Sequence, residues 1–306
     1  MGNKLIIGSR GSRLSLAYAN IVKEKILSIK DNQTEKVEIK IIKTTGDMFP
    51  KKKMSEIGGK NLFCKKIKNE LLKKNIDIAV HSLKDMETNE NKKLLIGSYI
   101  KRNDPRDAFI QISKKKFSKL NNCVIGTSSR RRELQFNLMN KNIYFKNIRG
   151  NVDSRVKKVL DGSYDGAILA LAGLKILKLD KHVTEIFSKR KIIPAAGQGV
   201  IAAQCRKNDN KIKAILQKIN HHNTEICSKA EKGLLKSIGG DCHTALGALA
   251  VVKKKKLIIE AELFSDDGTK CYRIKKSGKI DNPSSLGFNT GKKLLELIGK
   301  QFKKKL

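Results

Sequence analysis

The feature that most constrains the fold is a repeated order: a short apolar run, a turn rich in Gly, Ser or Thr, then a stretch with helical spacing. Lys4 to Gly8 is such a run, and after its turn Ser12 to Ile29 carries Leu16, Ala19, Ile26 and Ile29 at helical spacing. Lys36 to Thr44 alternates with period two through Val37, Ile39 and Ile41, which predicts a strand. Phe63, Ile67 and Leu71 mark an amphipathic helix over Asn61 to Lys74. Asp77 to Val80 reads as a buried strand with His81-Ser82-Leu83-Lys84-Asp85 at its carboxyl end. A second series places strands near Ala108 to Ile112, Cys123 to Gly126, Ile143 to Lys146 and Gly166 to Leu171, with helices starting near Ser128 and Val152. This alternation predicts α/β units with largely parallel sheets. Ligands of such sheets bind at the carboxyl ends of strands, beside helix amino termini.

Ile192 to Gly199 reads as a segment crossing between units. From about Asn223 the pattern changes. A helix through Leu234-Leu235 leads to Gly239-Gly240-Asp241-Cys242-His243. Strands over Leu246 to Val252, Leu257 to Phe264 and Cys271 to Lys275 and a closing helix from Ser284 to Phe302 make a small α+β domain.

The 306 residues include 66 basic ones and carry a formal charge of +37. Lysine accounts for most of this and is spread along the whole length, while aromatics make up 5% and Trp is absent. Without stacking platforms the charge reads as a solvated surface, and no nucleic acid is expected as a partner. The arginines behave differently. Ten of the 12 sit in short turn-rich strings around residues 8–13, 102–107, 126–132, 149–155 and 204–206. A guanidinium fork grips carboxylate or phosphate through two parallel hydrogen bonds, where lysine is a point charge. This placement predicts a site for a compound with many anionic groups.

Six cysteines show no Cys-x-x-Cys pair, so no metal site is expected, and a disulfide framework does not suit a chain of this kind. No apolar run reaches the length of a membrane span, and the amino terminus shows no secretion signal. The expectation is a cytoplasmic, reduced protein.

Among candidate working groups, Asp85 lies at a strand end beside Lys84 and near His81, where a carboxylate could stabilise a developing cation or cap the next element. Arg10, Lys60, Lys84, Arg131, Arg132, Arg149 and Arg155 form an anion-binding set, with hydroxyls from Ser12, Ser82, Thr127 and Ser129 beside them. Arg130-Arg131-Arg132 at a helix start opposes the helix dipole, a repulsion that an anionic ligand would relieve. Cys242, in a glycine loop, is more accessible than a core thiol and suits a nucleophile or a covalent attachment point. His221-His222 lacks metal-ligand neighbours and reads as structural, near a domain junction.

Taken together these strings resemble the porphobilinogen deaminase family. The resemblance runs from Ile6 to about Leu249, and its most specific pieces are Val80 to Asp85, Gly126 to Arg132, Leu169 to Leu174, Pro194 to Gly199 and Gly240-Asp241-Cys242. It implies two α/β domains like those of periplasmic binding proteins, facing a cleft, and a small C-terminal α+β domain. On this chain these become residues 1–100 with 200–218, residues 101–199, and residues 222–306. The resemblance implies a dipyrromethane cofactor held by a thioether to Cys242 and an enzyme, acting as a monomer, that joins four porphobilinogen molecules head to tail and releases hydroxymethylbilane. Asp85 takes the catalytic role. Arg10, Ser12, Lys60, Ser82, Lys84, Thr127, Ser129, Arg131, Arg132, Arg149, Arg155, Gln198 and Gly199 bind cofactor and substrate, and Thr45 to Gly59 is a lid. Ile176, Glu56 and Arg130 depart from the family pattern, where arginine, lysine and an apolar residue are common. The competing expectation is a non-catalytic anion-binding protein on a periplasmic-binding-like scaffold.

Overall fold

The computed structural model describes residues 4–30, 36–43, 64–88, 91–240 and 244–299. The predicted lid, Lys60, Glu56 and Cys242 lie outside the described residues.

The chain opens with β1 (Lys4–Ser9), α1 (Arg13–Leu27) and β2 (Lys36–Ile41). Ser12 caps α1, its hydroxyl accepting the Ser15 N–H, and Tyr18, Ala19, Val22 and Ile26 give the helix one buried face. Helix α2 (Lys65–Leu72) and strand β3 (Ile78–Ser82) follow, then a single 3-10 turn over Leu83–Asp85 and strand β4 (Leu94–Tyr99). His81 and Ser82 thus belong to the strand, and only Leu83 to Asp85 form the turn.

The second series comprises β5 (Asp107–Ile110), β6 (Cys123–Gly126), α3 (Arg130–Asn137), β7 (Ile143–Lys146), α4 (Val152–Leu160), β8 (Gly166–Ala170), α5 (Leu171–Ile176) and β9 (Val183–Ile186). The chain then returns as β10 (Ile201–Arg206) and α6 (Asn210–Lys218). Helix α7 (His222–Ile238), strands β11 (Leu246–Lys253), β12 (Lys256–Phe264) and β13 (Cys271–Lys279) and helix α8 (Pro283–Ile298) complete it.

Two compact units result, one from Met1–Arg102 with Val200–Glu225, the other from Asn103–Gly199 with Ile226–Leu306. The first holds a five-stranded sheet in the order β2-β1-β3-β10-β4; the second holds one in the order β7-β6-β8-β5-β9 and the antiparallel sheet β11-β12-β13. The two five-stranded sheets share a plan. Each has three parallel strands at one side (β2, β1, β3 and β7, β6, β8), then two strands in antiparallel pairing.

Four of the five strands in each sheet therefore run the same way, as expected, and one strand, β10 in the first sheet and β5 in the second, runs against them. The antiparallel pairings come from β4, β5, β9 and β10, of which only β5 was legible. β10 reads Ile-Ala-Ala-Gln-Cys-Arg, with two alanines and a buried glutamine in place of a β-branched run. Tertiary burial decides its conformation.

The crossing at Ile192 to Gly199 ends in a glycine that the backbone requires. Gly199 has φ +81°, and a Cβ there would come within 2.7 Å of the Asn103 carbonyl oxygen. The Asn103 N–H donates to the Gly199 carbonyl at 2.8 Å, tying the two crossing strands of chain together.

On one side of the second sheet Phe117 meets the rings of Phe109, Phe136 and Phe187 edge-on, at centroid distances of 5.3, 5.0 and 5.7 Å. Phe117 is fully buried. Replacing it with alanine (Phe117→Ala) should lower unfolding free energy by about 3–5 kcal/mol, read from the denaturant midpoint. A midpoint within error of the parent would show that this aromatic cluster is not a core.

Candidate functional site

In the first unit the parallel strands β1 and β3 lie side by side, with Gly8 opposite Ala79, so their carboxyl ends emerge at one sheet edge. Arg10 follows β1 directly, and Ser12 sits at the start of α1 with its hydroxyl donating to the Ser15 hydroxyl at 2.8 Å. Ser82 ends β3; Lys84 and Asp85 occupy the turn behind it. The returning strand β10 pairs Ile201 with Ser82, and the Leu83 N–H donates to the Val200 carbonyl at 3.0 Å, which fixes the start of the turn. Asp85 is exposed, while Lys84 and Arg10 are half-buried. Its negative charge is felt by two buried neighbours that the sequence reading did not single out. Burial, then Asp85, pushes the Tyr18 phenol above its ordinary value. Burial, then Asp85, likewise pushes the Cys64 thiol up to about 12.

The second unit repeats the arrangement at the carboxyl ends of β6, β7 and β8. Thr127 follows β6 and accepts the Ser129 N–H at 3.2 Å. Ser129 caps α3, accepting the Arg132 N–H. The Ser128 hydroxyl donates to the Ile148 carbonyl and so ties the turn after β6 to the turn after β7. That second turn carries Arg149 and Gly150, whose φ is +110°. Arg155, on the first turns of α4, donates through Nε to the Gly150 carbonyl at 2.8 Å.

Arg131 and Arg132 have a partner inside the protein. Asp107, at the start of β5 and fully buried, accepts from Arg131 at 2.8 Å and from Arg132 at 2.8 and 3.1 Å. Gln198 donates to the same carboxylate at 2.8 Å and accepts from Arg132 at 3.3 Å. Arg130 points elsewhere and pairs with Glu133. The repulsion read from three successive arginines is therefore relieved from within, by Asp107 and Glu133. The sequence offered a signal for this, since Asp107 closes one of the arginine-rich strings, but spacing alone does not pair residues 107 and 131.

Burial alone would raise the Asp107 carboxyl; Arg131, Arg132 and the hydrogen bonds to the carboxylate reverse this and hold it well below the ordinary carboxylate range. A lowered folded-state value means that the unfolded chain binds the proton first as pH falls. The stabilisation is then complete above the unfolded carboxyl value, about 4, and is lost as pH drops from there through the folded value.

Gln198 and Gly199 are placed by the crossing segment, Gln198 also donating to the Pro105 carbonyl at 2.7 Å. In sum, the first unit gathers Arg10, Ser12, Ser82, Lys84 and Asp85 at one edge. The second gathers Thr127, Ser129, Arg149 and Arg155 at another, with Arg131, Arg132 and Gln198 beneath them around Asp107. Forked cations and hydroxyls at helix starts suit a ligand with several carboxylates. No group of three or more His, Cys, Asp or Glu able to hold a metal occurs among the described residues. No helix among them is long and apolar enough to cross a membrane.

Comparison with known proteins bears on this pair of edges. Residues 5–214 match the family model described as porphobilinogen deaminase, dipyromethane cofactor binding domain, and residues 225–296 match porphobilinogen deaminase, C-terminal domain. The chain belongs to the porphobilinogen deaminase family. Porphobilinogen deaminase from Coxiella burnetii (strain Dugway 5J108-111) is 37% identical over 298 residues, 96% of this chain and 95% of that protein. A probable porphobilinogen deaminase from Methanocaldococcus jannaschii is 40% identical over 294 residues, 94% of this chain and 98% of the relative. Among solved structures, a TRAP periplasmic solute-binding protein from Desulfovibrio salexigens aligns with a TM-score of 0.43 at 8% identity over 74% of each chain, too loosely to inform function.

Within this deaminase-family chain the Asp107 cluster makes a direct prediction. Asp107→Asn leaves two buried guanidinium groups without a counter-charge and should cost about 3–5 kcal/mol at neutral pH. Its stability should also fall less steeply than the parent's as pH drops below about 4. Urea titrations at several pH values check both; equal midpoints at neutral pH would show that Asp107 is not the anchor.

Proposed function

We propose that this chain is a hydroxymethylbilane synthase, a transferase of tetrapyrrole biosynthesis. It deaminates porphobilinogen, joins four units head to tail on a covalently held dipyrromethane, and releases the linear tetrapyrrole by hydrolysis. The reading is carried by the family match along nearly the whole length, at 37–40% identity to named deaminases. The geometry supports it. An exposed carboxylate stands among cations at the edge of the first sheet, and donors for carboxylates line the edge of the second.

The donor chemistry fits a dipyrromethane, whose acetate and propionate groups suit Arg149, Arg155, Thr127 and Ser129, with attachment to Cys242. When bound, that group would supply the free pyrrole α-carbon to which the first incoming unit is joined, each later unit joining the terminal pyrrole of the growing chain. The chain's own residues do the rest. Arg10, Lys84, Ser12, Ser82 and Lys60 bind the substrate's carboxylates. Asp85 accepts the substrate's pyrrole N–H and stabilises the positive charge that develops as ammonia leaves. Arg131, Arg132 and Gln198 act around Asp107, and Gly199 gives the crossing its turn. The working protein is a cytoplasmic monomer of three domains, with residues 222–306 carrying Cys242.

Intact-mass measurement under denaturing conditions tests the reading. Purified protein should exceed its sequence mass by two linked pyrrole units, and Cys242→Ser should lose that excess. Asp85→Ala should retain the fold while turnover of porphobilinogen falls by at least about a hundredfold. Bare mass that porphobilinogen fails to increase, or full turnover in Asp85→Ala, would overturn the assignment of attachment or of catalysis respectively.

A further inference from the structure

The Asp85 turn is held from behind by a thiol that the proposed reaction does not use. Cys64 immediately precedes α2, is 3% exposed, and directs its Sγ to two groups of the β3 end. One is the main-chain carbonyl of Asp85 itself, 3.6 Å away; the other is Nδ1 of His81, 3.8 Å away. His81 is also buried, 6% exposed. A second tie lies one helical turn along: Lys68 of α2, buried, pairs with Glu87 at 3.0 Å. The residues on both sides of Met86 are therefore clamped to α2, and the Met86 N–H closes the 3-10 turn onto the Leu83 carbonyl at 3.1 Å.

A thiol has one proton, so Sγ can donate to only one of its two partners. The Asp85 carbonyl has no proton to offer; the His81 ring does. The consistent arrangement is a chain in which His81 Nδ1–H donates to Sγ and the Cys64 S–H donates to the Asp85 carbonyl. It selects the Nδ1–H tautomer of His81. The charges facing the thiol are Asp85, Lys68, Glu87 and Arg10, and burial among them leaves the thiol protonated, as a donor must be.

We infer that Cys64 is a positioning residue: its S–H hydrogen bond to the Asp85 main chain, backed by His81, sets the direction in which the Asp85 carboxylate is presented. The inference rests on the role of Asp85 proposed above.

Two replacements separate this from packing. Cys64→Val is close in volume and apolar, and it cannot donate. Cys64→Ser is smaller but keeps a donor. On the cofactor-loaded enzyme, Cys64→Val should lower kcat about tenfold with little change in KM, and Cys64→Ser should recover most of it. In ring 15N spectra the His81 signals should report Nδ1–H in the parent and in Cys64→Ser, and shift toward the other tautomer in Cys64→Val. Melting temperatures run alongside. A Cys64→Val enzyme with parental kcat, or an unchanged His81 tautomer in that variant, would overturn the inference, as would stability loss in Cys64→Ser with activity restored only by valine. An inactive parent protein would instead indict the proposed function, and the ring spectra would still decide whether the hydrogen-bond chain exists.

Discussion

The second unit is organised around one buried negative charge. Asp107 starts the strand that pairs antiparallel with β8, Asp107 standing opposite Ala170 at the edge where the parallel strands end. Its carboxylate lies away from solvent and receives hydrogen bonds from Arg131, Arg132 and Gln198. Isolating such a charge from water is prohibitively costly, and two guanidinium groups with good geometry offset it. Arg131 and Arg132 lie in the first turn of α3 and Gln198 lies in the crossing segment, so a single carboxylate holds a strand, a helix start and a connection together. The arrangement also extends outward. Arg131 donates to Gln135 at 2.8 Å, and Gln135 donates to Glu262 of β12 at 2.6 Å, which joins the five-stranded sheet to the three-stranded one through buried polar contacts. A second buried carboxylate, Glu231 of α7, accepts the N–H groups of Gly197 and Ala250 at 2.7 Å each and pins the crossing segment to the same small sheet.

Asp85 occupies the comparable place in the first unit and is built the opposite way. It lies at a strand end beside cations, but its carboxylate is exposed and its main chain is what the protein grips. A carboxylate with its bonding capacity already met, as at Asp107, has little to offer a ligand. One whose backbone is fixed and whose oxygens face outward is ready to accept from an incoming N–H without reorganising. The difference between the two aspartates is thus one of which atoms the fold satisfies.

The sequence disclosed the parts of this that depend on local chemistry. Period-two and helical spacing located β1, α1, β6, β7, β11 and β12 closely, because each has a buried face and a turn or cap at its boundary, while the last strand, read as Cys271 to Lys275, runs on to Lys279. The strands at 94–99, 183–186 and 201–206 went unread for physical reasons. The first contains Gly97, where a Cβ would strike Leu216; the second has four residues; the third is buried on both faces and so lacks alternation. With them went the antiparallel pairings. Asp85 stands out in the sequence as a lone acid in a basic turn. Cys64 and Tyr18 were not, because a thiol and a phenol on helical spacing look like core until their neighbours are known.

The arginines show where such reading reaches its limit. Arginine in a turn-rich string signals a need for a fork, but an aspartate of the chain and a ligand carboxylate make the same demand on it. Arg206 illustrates the first alternative, its guanidinium donating to the carbonyls of Leu71 and Ile76 and to Asp77 and Asp209. Arg106 does so too, gripping Asp104 with both arms of its fork. Arg131 and Arg132 also bond to an aspartate of the chain, Asp107. Arg149 and Arg155 lie on either side of the positive-φ Gly150, where a strand end meets a helix start, so backbone N–H groups and guanidinium forks occur in the same stretch of chain. A carboxylate-rich ligand is best served where both kinds of donor coincide.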